Sequence, residues 1–397
     1  MFEKVQLWVG HLLLLLVMLI VDLPVLIFVS RQPSQDKSIC VLRLDNIGDF
    51  ILWLDAARGL REFYHDRVLV LLVDNALAEF AADTSLWDEI WPIDRRKMKL
   101  NPFYRYKILR RARKRGFDTV IHPTFSRHLM FGDALVLATG AIKRIGSTGD
   151  LSNIYAWHKK ISDQWYTQLI PAKQEPLMEL VRNAEFLRGI GHTSFRAKCP
   201  QLSRLQQKTK QFLPTTPYYV LFPGASLALK KWPSSSFAQI ADWLFEYSKF
   251  EGVICGASAE QVDAKKIQGS SKSVLRDLTG STSLSELSDV ISGAALLISN
   301  DTSAVHMATA VGVPAVCILG GGHYGRFLPY QTELPCSTQL PITVVHSMDC
   351  FGCNWQCQYN LENDEPAPCV ARVTVESVVK VVRPVIDAIV DNRDTNL

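Results

Sequence analysis

Tyr218-Tyr219-Val220-Leu221-Phe222-Pro223-Gly224-Ala225-Ser226 decides the fold. Its aromatic and aliphatic half suits a strand buried on both faces, and Pro-Gly ends it. A helical pattern follows over residues 235–247. The same grammar appears earlier in the chain. Ser38-Ile39-Cys40-Val41-Leu42-Arg43-Leu44 reads as a buried strand, Asp45-Asn46-Ile47-Gly48-Asp49 breaks it, and residues 50–64 read as a helix. Residues 68–73 are a second strand, and Val120 with Ile121 marks a third. Beyond Ser226, Gly252-Val253-Ile254-Cys255-Gly256, Ala295-Leu296-Leu297-Ile298-Ser299 and residues 313–319 read as strands. Strands alternating with helices imply parallel pairing and an α/β class. The polar, Pro-containing stretch 198–217 separates the two runs. The expectation is two Rossmann-like domains, residues 37–205 and 206–397, facing a cleft, with residues 1–36 as an anchor and linker. In open sheets of this kind, ligands bind at the carboxyl ends of the strands.

The composition is globular, with 48% hydrophobic and 21% charged residues over 397. A net charge of +4 gives no sign of a nucleic-acid partner. Residues 5–29 are nearly all apolar, about the ~20 needed to span a bilayer. They lack a small-x-small cleavage site before Arg31, so a membrane anchor is favoured over a signal peptide. Asp22 and Pro24 interrupt the run, either bending a transmembrane helix or marking a membrane-associated hairpin. Lys4 before the run and Arg31 and Lys37 after it leave its orientation open.

Residues 95–115 hold eleven Lys or Arg and no acid, with aromatics at Phe103, Tyr104 and Tyr106. Such a run is commonly a solvated face. Behind an apolar anchor it suits anionic lipid or a phosphorylated lipid acceptor, with Arg95, Arg96, Lys97, Arg110 and Arg111 as the contacts. Of nine cysteines, Cys40, Cys199, Cys255, Cys317 and Cys336 are scattered and read as small core residues. Cys350, Cys353, Cys357 and Cys369 are clustered, a spacing that suits structural zinc or disulfides.

The loop Pro223-Gly224-Ala225-Ser226 precedes Lys230-Lys231-Trp232-Pro233 and a helix start. Backbone N–H groups there, a hydroxyl and an ammonium suit a diphosphate. Glu260 follows the small-residue turn at Gly256 and suits a ribose, with a helix cap as the ordinary alternative. Ser299-Asn300-Asp301-Thr302-Ser303-Ala304-Val305-His306 runs a buried strand into a row of polar groups. Burial of those groups is costly without partners, which favours a ligand site over a capped helix. Asp49, in a strand-to-helix turn, suits a general base; His122 is a weaker rival for that role. No G-x-G-x-x-G follows the first strand, which argues against an NAD-dependent oxidoreductase.

Together these motifs resemble glycosyltransferase family 9, the bacterial heptosyltransferase family. The resemblance rests on Arg43 with Asn46-Ile47-Gly48-Asp49, Pro223-Gly224-Ala225-Ser226 with Lys230-x-Trp232-Pro233, and Gly256 with Glu260. It continues through Asp277-Leu278-Thr279-Gly280 with Ser283-Leu284, Asn300-Asp301-Thr302 with His306, Gly312-x-Pro314 and the cysteine cluster. It implies GT-B architecture with the donor held by the C-terminal domain, and inverting transfer that requires no metal. By position it implies Asp49 as base, Ser226 and Lys230 on the donor phosphates, and Glu260 on the ribose. Asp301, Thr302, Ser303 and His306 would line the pyrophosphate and sugar pocket. Ser303 stands where the family has glycine. The implied co-substrate is a nucleotide sugar, expected to be ADP-heptose. The implied acceptor is a lipid-linked saccharide such as lipopolysaccharide core, at the cytoplasmic face of a bacterial inner membrane. A GT-B nucleotide-sugar epimerase and a non-catalytic membrane-bound binding protein of the same fold are the rival expectations.

Overall fold

The structure is a computed structural model describing residues 16–33, 37–202, 213–362 and 364–394. The chain divides into two units. The first comprises the described residues up to Asn46, with Ala56–Glu175 and Arg182–Phe195. The second comprises Ile47–Asp55, Pro176–Val181 and the described part of Arg196–Leu397.

The first unit carries a six-stranded parallel sheet. Its strands are β1 (Ile39–Arg43), β2 (Leu69–Asp74), β3 (Glu89–Ile93), β4 (Thr119–His122), β5 (Lys143–Ser147) and β6 (Gln168–Ile170). They lie in the order 3-2-1-4-5-6, the doubly wound dinucleotide-fold order with its switch point between β1 and β4. Ile39 faces both Leu69 and Thr119 in register, and all of β1 is buried. That is why β1 reads as a continuous apolar run without alternation.

The second unit repeats the scheme. Its strands are β7 (Tyr218–Phe222), β8 (Glu251–Ile254), β9 (Leu275–Asp277), β10 (Leu296–Asn300), β11 (Ala315–Ile318) and β12 (Ile342–Val344). The order 12-11-10-7-8-9 is the same connectivity counted from the opposite edge. Tyr219, Leu221, Ile298 and Val316 form its core with Phe237, Leu244 and Trp232 from the covering helical layer.

The N-terminal apolar run lies only partly within the described residues. Residues 5–15 lie outside the described residues, and no described helix is long and apolar enough to cross a membrane. The described part forms helical turns over Met18–Asp22 and Leu23–Phe28. It lies along the helix Pro102–Arg115 of the first unit, with Val25 and Val29 in a shared core with Leu109 and Ala112. Asp22 is held by a buried ion pair. Its carboxylate accepts from Arg105 Nε at 2.6 Å and Nη2 at 2.5 Å, both side chains buried. Pro24 follows directly on the π turn Met18–Asp22, where the helical run changes from π to α and a residue without an N–H can be accommodated.

Arg105 also corrects the basic stretch, which is not one uniform solvated face. It splits into Arg95–Leu100 and Pro102–Arg115, with Asn101 capping the second by accepting from Tyr104 N at 3.0 Å. Two scattered cysteines are likewise corrected. Cys199 and Cys336 form a disulfide across 137 residues, with a Cα–Cα distance of 5.3 Å. Sequence separation hides such a neighbour. Cys40, Cys255 and Cys317 are buried core residues.

Candidate functional site

The candidate site is built where β7 and β10 end side by side in the second unit. Asn300, the last residue of β10, is fully buried. Its Nδ2 donates to Pro223 O at 2.7 Å and its Oδ1 accepts from Trp232 N at 3.0 Å. One side chain therefore ties the loop after β7 to the loop after β10. Between those loops, Lys230 Nζ meets Asp301 Oδ2 at 3.0 Å, with both side chains nearly buried. A paired burial of this kind is expensive, because two ions leave water, and it persists only where geometry is fixed.

Asp301 precedes the helix Ser303–Val311. Thr302 is its N-cap, accepting from Ala304 N at 3.3 Å, and its hydroxyl lies 3.0 Å from that of Ser299. Thr302 is thus engaged in the cap that aims the helix N-terminus. Ser303 begins the helix, half-buried, and Ser226 is exposed in the loop after β7. Glu260 ends a short turn beyond β8 and enters the same corner. A Cβ added at Gly224 would lie 2.7 Å from its Cγ, and one at Gly256 3.1 Å from its Cβ. Both glycines are therefore required for Glu260 to sit there. The site joins an ammonium, a helix N-terminus, hydroxyls and a carboxylate, a set suited to a nucleoside diphosphate.

Asp49 lies in the first turn of the helix Ile47–Phe63, whose opening turns belong to the second unit. The adjacent Gly48 runs against His306: an added Cβ would be 3.2 Å from its Cδ2 and 3.7 Å from Ser303 Cα. The turn bearing Asp49 thus rests on the helix bearing Ser303 and His306. His306 is buried, stacks on Tyr330 at 5.7 Å, and its Nδ1 lies 2.9 Å from the Tyr330 hydroxyl.

Burial pulls the His306 pKa down to about 4, with Asp301 opposing and Lys230 reinforcing the shift. In the first unit burial does the same to His122, again to about 4, against Asp133 and Asp45. His122 is a structural residue. The Tyr166 hydroxyl donates to Asp133 Oδ1 at 2.6 Å, so His122 Nδ1, at 2.7 Å, must donate to Tyr166. Both rings resist protonation in the fold, while the unfolded chain binds protons from about pH 6.5 downward. Stability is therefore complete above about pH 6.5 and is lost as the pH falls through about 4, on the order of 3 kcal/mol per ring. Urea unfolding at neutral pH and near the lower end of this window measures it. A flat profile would contradict neutral buried rings.

The cysteine cluster forms no disulfide. Cys350, Cys353, Cys357 and Cys369 are all free thiols, and the disulfide forms elsewhere. Among the described residues no group of three or more His, Cys, Asp or Glu is placed to hold a metal. The segment instead folds back over the glycines after β11. Phe351 and Trp355 fill the spaces that Cβ atoms on Gly320, Gly321 and Gly322 would occupy. Trp355 then faces Lys230, whose Nζ stands 4.8 Å from the ring centroid. Trp355→Ala removes that packing and a buried cation–π contact, so nucleotide affinity should fall by about tenfold or more. Titration calorimetry reads this directly, and an unchanged affinity would mean that Trp355 does not hold Lys230.

The predicted basic contacts separate. Arg95 pairs with Asp74 at 2.5 Å and donates to Leu44 O at 3.1 Å. Arg111 lies 3.7 Å over Trp91, and Lys97 is 3.4 Å from Asp94. All three find partners within the first unit, Lys97 and Arg111 at its surface. Arg96 and Arg110 are exposed. Sequence reasoning missed Tyr330 and Trp355 as parts of the site, and it gave Asn300 no role of its own within the polar row. Asn300 carried a signal, being a polar residue closing a buried strand. Trp355 was hidden by its cysteine neighbours.

The family description "Glycosyltransferase family 9 (heptosyltransferase)" matches residues 105–347, more than half of the 397. The chain belongs to glycosyltransferase family 9. Lipooligosaccharide heptosyltransferase 2 of Haemophilus influenzae is 26% identical over 119 residues, 29% of this chain and 34% of that protein. Lipopolysaccharide heptosyltransferase 1 of Pseudomonas aeruginosa is 27% identical over 142 residues, 34% of this chain and 39% of that protein. The chain thus matches little more than a third of the length of these curated relatives. The fold is that of the E. coli ADP-heptose lipopolysaccharide heptosyltransferase II structure, at a TM-score of 0.66 and 15% identity over 88% of this chain and 98% of that one. Two parallel sheets with GT-B-like connectivity are thereby accounted for within the family.

Proposed function

We propose that the chain moves a heptose from ADP-heptose onto a lipid-linked saccharide such as lipopolysaccharide core, with inversion and without a metal. The single observation that carries this reading is the Lys230–Asp301 pair at the start of Ser303–Val311, beside Glu260. In the proposed step Asp49 takes the proton of an acceptor hydroxyl. The oxygen attacks the anomeric carbon as the bond to the diphosphate breaks, and the nucleoside diphosphate leaves with the electron pair. Lys230 and the helix N-terminus stabilise the charge that gathers on that leaving group. Glu260 accepts from the ribose hydroxyls. Family membership supports transfer, and the E. coli relative, whose description names ADP-heptose, supports the choice of donor. The proposal puts the reaction at the cytoplasmic face of a bacterial inner membrane.

A thermal-shift screen against ADP-, UDP-, GDP- and CMP-sugars tests the donor. Stabilisation by ADP-heptose alone is expected. Stabilisation by only a UDP or GDP sugar would overturn that donor while leaving the family unchanged. Conversion of the nucleotide sugar without an acceptor would replace the transferase reading with an epimerase.

A further inference from the structure

We infer that the segment Met18–Phe28 and the helix Pro102–Arg115 form one face that docks in the plane of an anionic bilayer and does not cross it. The inference deepens the membrane element of the proposed function; it does not depend on which sugar or nucleotide is used.

The two elements run in the same direction. Asp22 pairs with Arg105, and Arg113 donates to Leu26 O at 3.0 Å and Val29 O at 2.5 Å. Seven residues on one element thus match eight on the other. Val21, Asp22, Val25 and Val29 are buried. The outward stripe is apolar too: Leu16, Ile20, Leu23 and Ile27 recur at helical spacing, with Ile27 62% exposed. The register places Phe103, which is 87% exposed, level with Ile20. A helix that is apolar on both faces and docked on only one leaves a contiguous surface to be covered.

Charge selects the occupant. Arg96, Lys99, Lys107, Arg110 and Lys114 are exposed on the same two basic helices. Among the described residues none of them has a carboxylate at ion-pair distance. A second copy of this chain would bring like charges together, whereas anionic lipid neutralises them. A spanning arrangement fails on depth. Lys107 and Arg110 lie beside residues 23–29 and would be drawn into hydrocarbon. An apolar stripe flanked by lysine and arginine is the pattern of an interfacial helix.

The test is co-sedimentation of the full chain with phosphatidylglycerol/phosphatidylethanolamine vesicles and with phosphatidylcholine vesicles. The chain should bind the anionic vesicles and leave them in alkaline carbonate. Ile20→Glu/Ile27→Glu should weaken binding by about tenfold or more. Phe103→Glu, at a position too exposed to disturb the core, should weaken it in the same direction. Lys107→Glu/Arg110→Glu should remove the preference for anionic lipid. The nucleotide-sugar thermal shift should survive in all three, which separates failure of docking from failure of the proposed reaction. Unchanged vesicle binding by the variants, retention through carbonate, or a dimer that the variants dissociate without any vesicle binding would each overturn the inference.

Discussion

Asp49→Asn should lower turnover by about 10³-fold while leaving nucleotide-sugar affinity near the wild-type value. The substitution keeps the size and shape of the side chain and removes its charge and its capacity to take a proton. Gly48, in the same turn, rests against His306 and Ser303. Asn46 caps the helix Ile47–Phe63 without a side-chain bond, so loss of the Asp49 charge leaves the cap as it was. A base acts only as the acceptor oxygen forms its new bond, so the loss should fall on kcat and spare donor binding. Steady-state kinetics combined with donor calorimetry separates the two. Near-normal turnover would remove Asp49 from the role. Loss of turnover and donor affinity together would make it a binding residue.

Lys230→Met should damage both stability and transfer. It strands the Asp301 carboxylate, buried with its partner gone, at a cost of about 3–5 kcal/mol. It also deletes the nearest full positive charge at the helix start, lowering transfer by about 10²–10³-fold. The double variant Lys230→Met/Asp301→Asn divides these effects. It removes the stranded charge and should recover most of the lost unfolding free energy. It should not recover transfer, because the developing diphosphate charge still lacks its counterion. Recovery of both would reduce the pair to a structural bridge. Recovery of neither would mean that Asp301 is needed for another contact.

The sequence made the sheet centres legible and the edges obscure, for a physical reason. β1, β2, β7 and β10 are covered on both faces, so they run apolar without alternation until their last one or two residues. The edge strand β3 contains Pro92, and β5 begins Lys143-Arg144. β6, β9 and β12 are three residues each, too short for any period to show. The site was legible where polar residues closed an apolar strand, as at Asn300-Asp301-Thr302. It was not legible where partners come from far along the chain. Nothing near Asp22 announces Arg105, 83 residues away. Nothing near Lys230 announces Trp355. Ser283 was read as a family residue, and the structure gives it a local role, because with Glu286 it forms the capping box of Leu284–Ser292. Spacing alone left zinc or disulfides open at the cysteine cluster. Here the aromatic residues between them do the packing.

The central claim is acceptor-dependent sugar transfer by the site around Lys230, Asp301 and Asp49. Mass spectrometry of the purified chain with ADP-heptose and a lipid-linked saccharide tests it most directly. The account predicts acceptor gaining one sugar for each ADP released, and no conversion of donor when acceptor is omitted. Donor consumed without acceptor, or ADP released with the acceptor mass unchanged, would contradict it.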